Sequence, residues 1–244
     1  MRTLVISDIH ANSTALEAVL NEAAGIDEVW CLGDLVGYGP DPNECINRIK
    51  DLPKVSCVIG NHDAALLGQI DINSFNRDAR TSNEWTRSVI TPENLQFLHS
   101  LPEKIIKDEV TLVHGSPRNP TWEYLMDLYT ATINFNHFKT PFCFVGHTHL
   151  PISFLMKEDE ETQKISWELI SGDTNIILGN RMIINPGSVG QPRDQDFRAA
   201  YAIYNTETKI WEAHRVEYDI HSVQQRIFAN GLPERHAMRL MDGW

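Results

Sequence analysis

Nine residues of this chain have side chains suited to chemistry and sit just past short apolar runs. Asp8 and His10 follow TLVIS; Asp34 follows VWCLG; Asn61, His62 and Asp63 follow CVIG. His114 follows TLV, and His147 and His149 follow FCFVG. Asp, Asn and His together are the donors of a mixed nitrogen and oxygen metal site. A lone DxH or HxH is more often structural. Five matching run-ends are a different matter, because burying that many ionisable groups together without a cation is costly. Seven or so ligands exceed one zinc and suit two ions sharing a carboxylate. GHTH (146–149) reads as the strand's continuation, so His147 and His149 face the same way roughly 6.5 Å apart and each can reach a different ion.

The elements that must position these residues are legible from patterning. TLVI (3–6), EVWCL (28–32), KVSCVI (54–59), VTLV (110–113) and FCFV (142–145) read as strands. Between the first three lie helical patterns. Leu16, Val19, Leu20 and Ala23 share one face behind a Thr14–Glu17 capping box, and Asp41-Pro42-Asn43-Glu44 opens a second helix. Such alternation predicts parallel strands covered by helices, whose C-terminal ends line one edge where ligand sites form. Gly33, Gly60, Gly115 and Gly146 at those ends permit sharp turns. Residues 64–100 read as helical, with a clear start at Thr91-Pro92. After 151 the strands are PISFLM, KISWELI, MIIN, AAYAIY and KIWEAHRV, expected to build a second sheet packed on the first. KEDEETQK (157–164) reads as a solvated hairpin tip, and Asp219 to Asn230 as a short helix.

Composition narrows the partners. The 244 residues carry a net charge of −12, which argues against nonspecific nucleic-acid binding but not against a phosphorylated substrate beside metal ions. Four cysteines without CxxC spacing read as reduced thiols of a cytoplasmic protein. The N-terminal apolar run is too short for a signal peptide, and no stretch approaches a membrane span. The oligomeric state is not readable.

The ordered series D-x-H (8–10), G-D (33–34), G-N-H-D (60–63), H-G (114–115) and G-H-T-H (146–149) resembles the calcineurin-like metallophosphoesterase superfamily. NPGSVGQPR (185–193) looks like a block of its bacterial and archaeal single-domain, phosphodiesterase-type members. The resemblance implies an α/β fold of two mixed β-sheets packed face to face as a sandwich and flanked by helices, four layers in all. Without a repeat or a flexible linker the chain reads as one domain over 1–244, with residues 64–100 and 117–141 expected to wall the site. One divalent metal would take Asp8, His10, Asp34 and His149. The second would take Asp34, Asn61, His114 and His147, so that Asp34 bridges. Manganese leads the expected metals, with iron, zinc, cobalt and nickel as alternatives.

The resemblance makes His62 a phosphate contact and a proton donor to the leaving oxygen, while Asp63 is expected to cap or support the following turn rather than bind metal. His99, His137, His214, His221 and His236 match no block and read as surface or packing residues. The expected activity is phosphodiester hydrolysis by a metal-bound hydroxide. A phosphomonoesterase or nucleotide phosphatase, or a non-catalytic scaffold on the same fold, are the alternatives. One departure stands out. The superfamily's protein phosphatases read GDxVDRG, whereas this chain reads GDLVGYG (33–39), with Gly37 for the Asp that orients the histidine and Tyr38 for the Arg that grips phosphate. That leaves His62 without an evident orienting partner. Tyr38, Arg118 and Arg193 are the candidate substrate contacts.

Overall fold

A computed structural model describes residues 1–158 and 163–244. Twelve strands divide equally between two sheets. The first sheet contains β1 (Arg2–Ile6), β2 (Glu28–Cys31), β3 (Val55–Cys57), β9 (Thr174–Ile177), β11 (Ala199–Asn205) and β12 (Ile210–Val216), in the order β3-β2-β1-β11-β12-β9. The second contains β4 (Lys104–Lys107), β5 (Val110–Val113), β6 (Phe142–Phe144), β7 (Pro151–Glu158), β8 (Gln163–Leu169) and β10 (Arg181–Pro186), in the order β4-β5-β6-β10-β7-β8. β1, β2 and β3 are parallel, as are β5, β6 and β10; the other pairings are antiparallel, so both sheets are mixed.

The sheets do not divide at residue 151, as sequence order suggests. β11 inserts beside β1, and β10 inserts beside β6. Sequence order fails here because register and face, not chain proximity, decide which edge a strand completes. β4 and β9 show only weak alternation and escape the sequence pattern. The expected hairpin tip lies partly outside the described residues, between the paired β7 and β8.

Alternation along the buried strands builds the layers. Leu4 and Ile6 of β1 pack outward into a core with Leu16, Val19 and Ile46 from α1 (Ser13–Glu22) and α2 (Pro42–Lys50). Val5 points inward, to a core between the sheets that includes Trp30, Phe142, Phe144, Tyr204 and Trp211. Cys143 and Val145 point away from that core, onto Ala131 and Phe135 at α6 (Leu128–Asn134). Helix, sheet, sheet and helix therefore stack as expected. Truncating Phe144, fully buried with its ring 4.8 Å from that of Trp211, would cost about 3–5 kcal/mol.

Helix boundaries follow capping chemistry. α1 is capped by Asn12, whose side chain accepts from Ala15 N, so the helix begins at Ser13, ahead of the Thr14–Glu17 signal. Between β3 and β4 lie α3 (Asn61–Leu66), a 3-10 turn (Ile72–Ser74), α4 (Arg77–Val89) and α5 (Pro92–His99). Thr91 caps α5. α7 (Ile220–Ala229), capped by Asp219, pairs with α8 (Glu234–Asp242), a helix that the sequence pattern does not announce. Ile220, Val223, Ile227 and Leu240 form their shared core, and Trp85 of α4 packs against it.

Candidate metal centre

All five run-ends converge. The first sheet delivers Asp8 and His10 past β1, Asp34 past β2, and Asn61 and His62 past β3. The second delivers His114 past β5, and His147 and His149 past β6. Each of these side chains is at most 3% exposed, so little of the cluster's own surface meets bulk water.

The local backbone is unusual. Asp8 (φ 54°), His10 (47°), Asp34 (54°), His147 (67°) and His149 (60°) are all left-handed. This conformation costs a non-glycine residue of order 1 kcal/mol or more and persists only where the surroundings over-determine it. GHTH is thus not a strand continuation, and its two rings diverge because each residue turns the chain. Gly60 permits another close approach, since a Cβ there would overlap the Asp34 carboxylate.

The hydrogen bonds orient the rings. Nδ1 of His10 donates to Val36 O at 3.0 Å, Nδ1 of His114 to Leu32 O at 2.8 Å, and Nδ1 of His149 to Gln191 O at 2.5 Å. In each case Nε2 is aimed at the cluster, the carbonyl-backed arrangement that metal-ligating histidines use. His147 is inverted: its Nε2 donates to Trp122 O at 3.1 Å, which leaves Nδ1 to face inward. Burial holds His10 and His149 well below the usual imidazole range and His147 down to about 3, which is the neutral, ligating form.

Asp34 occupies the centre. Its Oδ1 accepts from His62 N at 2.9 Å. Its Oδ2 is buried without a hydrogen bond, 3.3 Å from His114 Nε2 and 3.6 Å from His10 Nε2. Burial opposes its charge, but His114 and His62 outweigh burial and hold the carboxyl below its ordinary range. Desolvation pulls the His114 ring down in turn, but Asp34 outweighs it and raises the imidazole to about 9. Asp8 differs: burial pushes it up to about 6 against the pull of His114, with Asp34 adding to the rise.

Donor atoms of Asp8, His10 and His149 lie within 4.8 Å of one another, as do those of Asp34, His114 and His147, and those of His10, Asp34 and His62. Asn61 Oδ1 sits 2.9 Å from His114 Nε2. His10 Nε2 and His149 Nε2 face each other at 3.0 Å, two donor nitrogens sharing one point in space. An orphaned buried carboxylate oxygen among converging nitrogens is what a cation would satisfy, so these residues fit metal binding.

Asn83 of α4 supplies the partner that His62 lacks in sequence. Its Nδ2 donates to Ala79 O at 2.9 Å and to His62 Nδ1 at 3.0 Å. The Ala79 carbonyl fixes which end of the amide faces the ring, so the imidazole proton stays on Nε2. Burial lowers His62 to about 4. At Gly37 a Cβ would overlap the His62 ring, so no side chain at that position can orient it. Asp63 caps α3 by accepting from Gly60 N, and it holds the loop after β2, not the following turn, by accepting from Leu35 N and Val36 N.

Of the candidate substrate contacts, Tyr38 packs its ring 4.6 Å from His10 and 4.5 Å from His62. Arg193 lies beside it, with Nη2 3.4 Å from the Tyr38 hydroxyl. Arg118 is committed elsewhere: its guanidinium pairs with Glu123, itself held by Ser116 and Asn134. Sequence motifs also miss Tyr124, stacked on His147 at 3.9 Å, and Phe75, edge-on to His62 at 4.9 Å. His236 is buried against Tyr38 and donates to Asp78 O.

A sandwich of two mixed sheets with a buried His–Asp cluster across one end defines a metallophosphoesterase, and comparison with known proteins agrees. The chain matches the calcineurin-like phosphoesterase superfamily domain over residues 1–209 and belongs to that family. It is therefore a hydrolase acting on phosphate esters, from a metal-dependent family. The crystal structure of a metallophosphoesterase from Sphaerobacter thermophilus is 44% identical with a TM-score of 0.89, covering 100% of this chain and 99% of that one. An uncharacterized protein of Methanocaldococcus jannaschii is 42% identical over 98% of this chain and 97% of its own length. The symmetrical bis(5'-nucleosyl)-tetraphosphatase of Proteus mirabilis is 32% identical, but over only 54% of this chain and 48% of its own. No helix among the described residues is long and apolar enough to cross a membrane.

Proposed function

We propose that the cluster holds two divalent transition-metal ions and that the chain, acting as one domain, hydrolyses phosphodiesters of small molecules. The observation that carries this reading is Asp34 Oδ2, buried without a hydrogen bond between His10 on one side and His114 on the other. Asp8, His10, Asp34 and His149 would hold one ion; Asp34, Asn61, His114 and His147 would hold the other. Four histidines with carboxylates and an amide favour manganese, iron, cobalt, nickel or zinc over magnesium or calcium, and manganese is our first choice. Bound there, the metals would supply an activated water and positive charge for the phosphoryl oxygens.

The protein's own groups do the rest. His62, neutral and with its hydrogen on Nε2, donates a hydrogen bond to the leaving oxygen as the P–O bond breaks, in place of the full proton transfer that the resemblance implies. Asn83 keeps the ring in that tautomer and orientation. Arg193, beside Tyr38, holds the phosphate's remaining oxygens, a role the guanidinium's planar fork suits. Arg118 stiffens the 117–141 wall through Glu123, facing the wall that Phe75 and α4 contribute. Four buried free thiols fit a cytoplasmic location.

A second reading, a nucleotide phosphatase, draws support from the tetraphosphatase relatives, which match this chain over about half its length. The test is elemental analysis followed by a panel of mono- and diesters with manganese supplied. Stoichiometric metal and preferential diester hydrolysis are expected. Full activity in a metal-free preparation would sink the reading.

A further inference from the structure

Beside the cluster opens a cavity of about 580 Å³. Tyr38, Tyr124 and Arg193 line it, and both tyrosine rings pack on cluster histidines, which sets the cavity next to the cluster. α8 also lines it, through Arg235 and Arg239, and so does Trp244 just past that helix. α8 lies beyond residue 209, outside the matched family domain.

Three guanidinium groups thus line one cavity of a chain whose net charge is −12. Among the described residues, neither Arg235 nor Arg239 has an ion-pair partner, although the chain's other arginines commonly do, as at Arg48, Arg198 and Arg215. Nε of Arg193 and Nε of Arg239 are buried with no hydrogen-bond partner. Burial, then Arg193 and Arg235, lower the pKa of Arg239, and Asp78 opposes this more weakly. Like charges gathered without an ion-pair partner among the described residues, with buried donors unmet, cost stability unless an anion completes them. Tyr124 (47% exposed) and Trp244 (61%) offer flat faces at the same opening.

We infer that Arg235 and Arg239 form an anion subsite for a second phosphoryl group of the substrate, beyond the one at the metal centre, with Tyr124 and Trp244 placed to stack an aromatic base. The inference deepens the phosphoesterase reading and rests on it for the position of the first phosphate. It makes α8 a specificity element: substrates bearing two or more phosphates bind across Arg193 to Arg239, and single-phosphate esters leave the far arginines empty.

Calorimetric titration of the manganese-loaded protein with AMP and with ATP reads the subsite without requiring turnover. ATP should bind at least about tenfold more tightly than AMP, the scale expected of two charge-assisted contacts. R235A/R239A should bring the two nucleotides together. R235K/R239K, which keeps the charges but not the forks, should restore part of the gap. R235A alone is measured as well, because Arg235 is exposed and the substitution spares packing even if the double variant misfolds. Equal affinity for AMP and ATP in the unaltered protein, or a gap that survives in R235A/R239A or, where that variant misfolds, in R235A, would overturn the subsite. Hydrolysis of bis-nitrophenyl phosphate, followed in parallel, separates the two ideas. Its absence with an intact ATP gap would remove the metal-centre reading and leave the arginines in place.

Discussion

Two regions of this molecule hold chemically active side chains by opposite means. At the metal centre, residues 8–149 fix their groups through the backbone: left-handed φ at Asp8, His10, Asp34, His147 and His149, and carbonyls of Leu32, Val36 and Gln191 behind the rings. At α8, Arg235 and Arg239 project from a regular helix with no ion-pair partner among the described residues to fix them. The first arrangement demands particular residues at particular spacings, so it is written in the sequence as motifs. The second demands only that two arginines fall one turn apart on an amphipathic helix, which any surface helix can show. Rigid chemistry is legible in sequence and adaptable recognition is not.

The sharpest way to break that contrast is at Asp34. An asparagine at this position would keep the shape but remove the charge between the two proposed dications, whose repulsion a bridging anion would offset. Asp34→Asn should hold at most one metal equivalent and lose roughly a thousandfold or more in kcat. Asp8→Asn should keep one equivalent and recover in part at high manganese. Metal analysis and metal-titrated rates check both, and two equivalents in Asp34→Asn would mean the bridge is misplaced. Chelation should lower the melting temperature of the unaltered protein, since a ligand at about a hundred times its Kd contributes about 2.7 kcal/mol to the folded state.

Next in size is His62. A nitrophenolate leaves unaided, whereas an alkoxide needs a donor. His62→Ala should therefore cost alkyl esters about a hundredfold or more and nitrophenyl esters far less, at unchanged metal content. Equal losses would make His62 a binding group. Asn83→Leu should reproduce the same dependence on leaving group at about tenfold, with little change in KM, because it loosens the ring without removing it. A KM effect alone would show that Asn83 only shapes the pocket.

These residues also mark how far sequence reaches. The cluster is legible because each member follows a buried apolar run, and a parallel sheet aligns such ends. Asn83 is not, because SNEW inside α4 carries no spacing signal; only the packing of α4 on the turn at His62 brings the amide to the ring. Strand order escapes for a related reason. β10 and β11 are apolar enough to sit centrally, and central positions are open beside β6 and β1. Arg118 looks like a phosphate grip beside HG, but Glu123 five residues later takes it. Local pattern sees neighbours along the chain, and each of these outcomes is decided by a neighbour in space or by a partner no motif records.

The smallest expected effect probes how the two regions are joined. Asp41 precedes α2 and, as an N-terminal signal, should cap it; instead its carboxylate makes no cap hydrogen bond. It accepts from Ser13 Oγ at 2.7 Å and takes both arms of Arg226 of α7, at 2.9 and 2.8 Å. Arg226 also donates to Thr14 Oγ1 at 2.8 Å. This bidentate pair ties the α7–α8 unit to the start of α1, next to the loop that carries His10. It is partly exposed, so its contribution should be modest, about 1 kcal/mol, and screened by salt. Asp41→Asn leaves every cluster residue in place. It should lower the melting temperature slightly and raise amide exchange in α7 and α8 without raising it at β1 or β2. If α8 is the specificity element, discrimination between ATP and AMP should weaken in step with that exchange, while bis-nitrophenyl phosphate turns over nearly as before. Loss of both activities together would show that the helices brace the metal centre itself, and that the two regions are one.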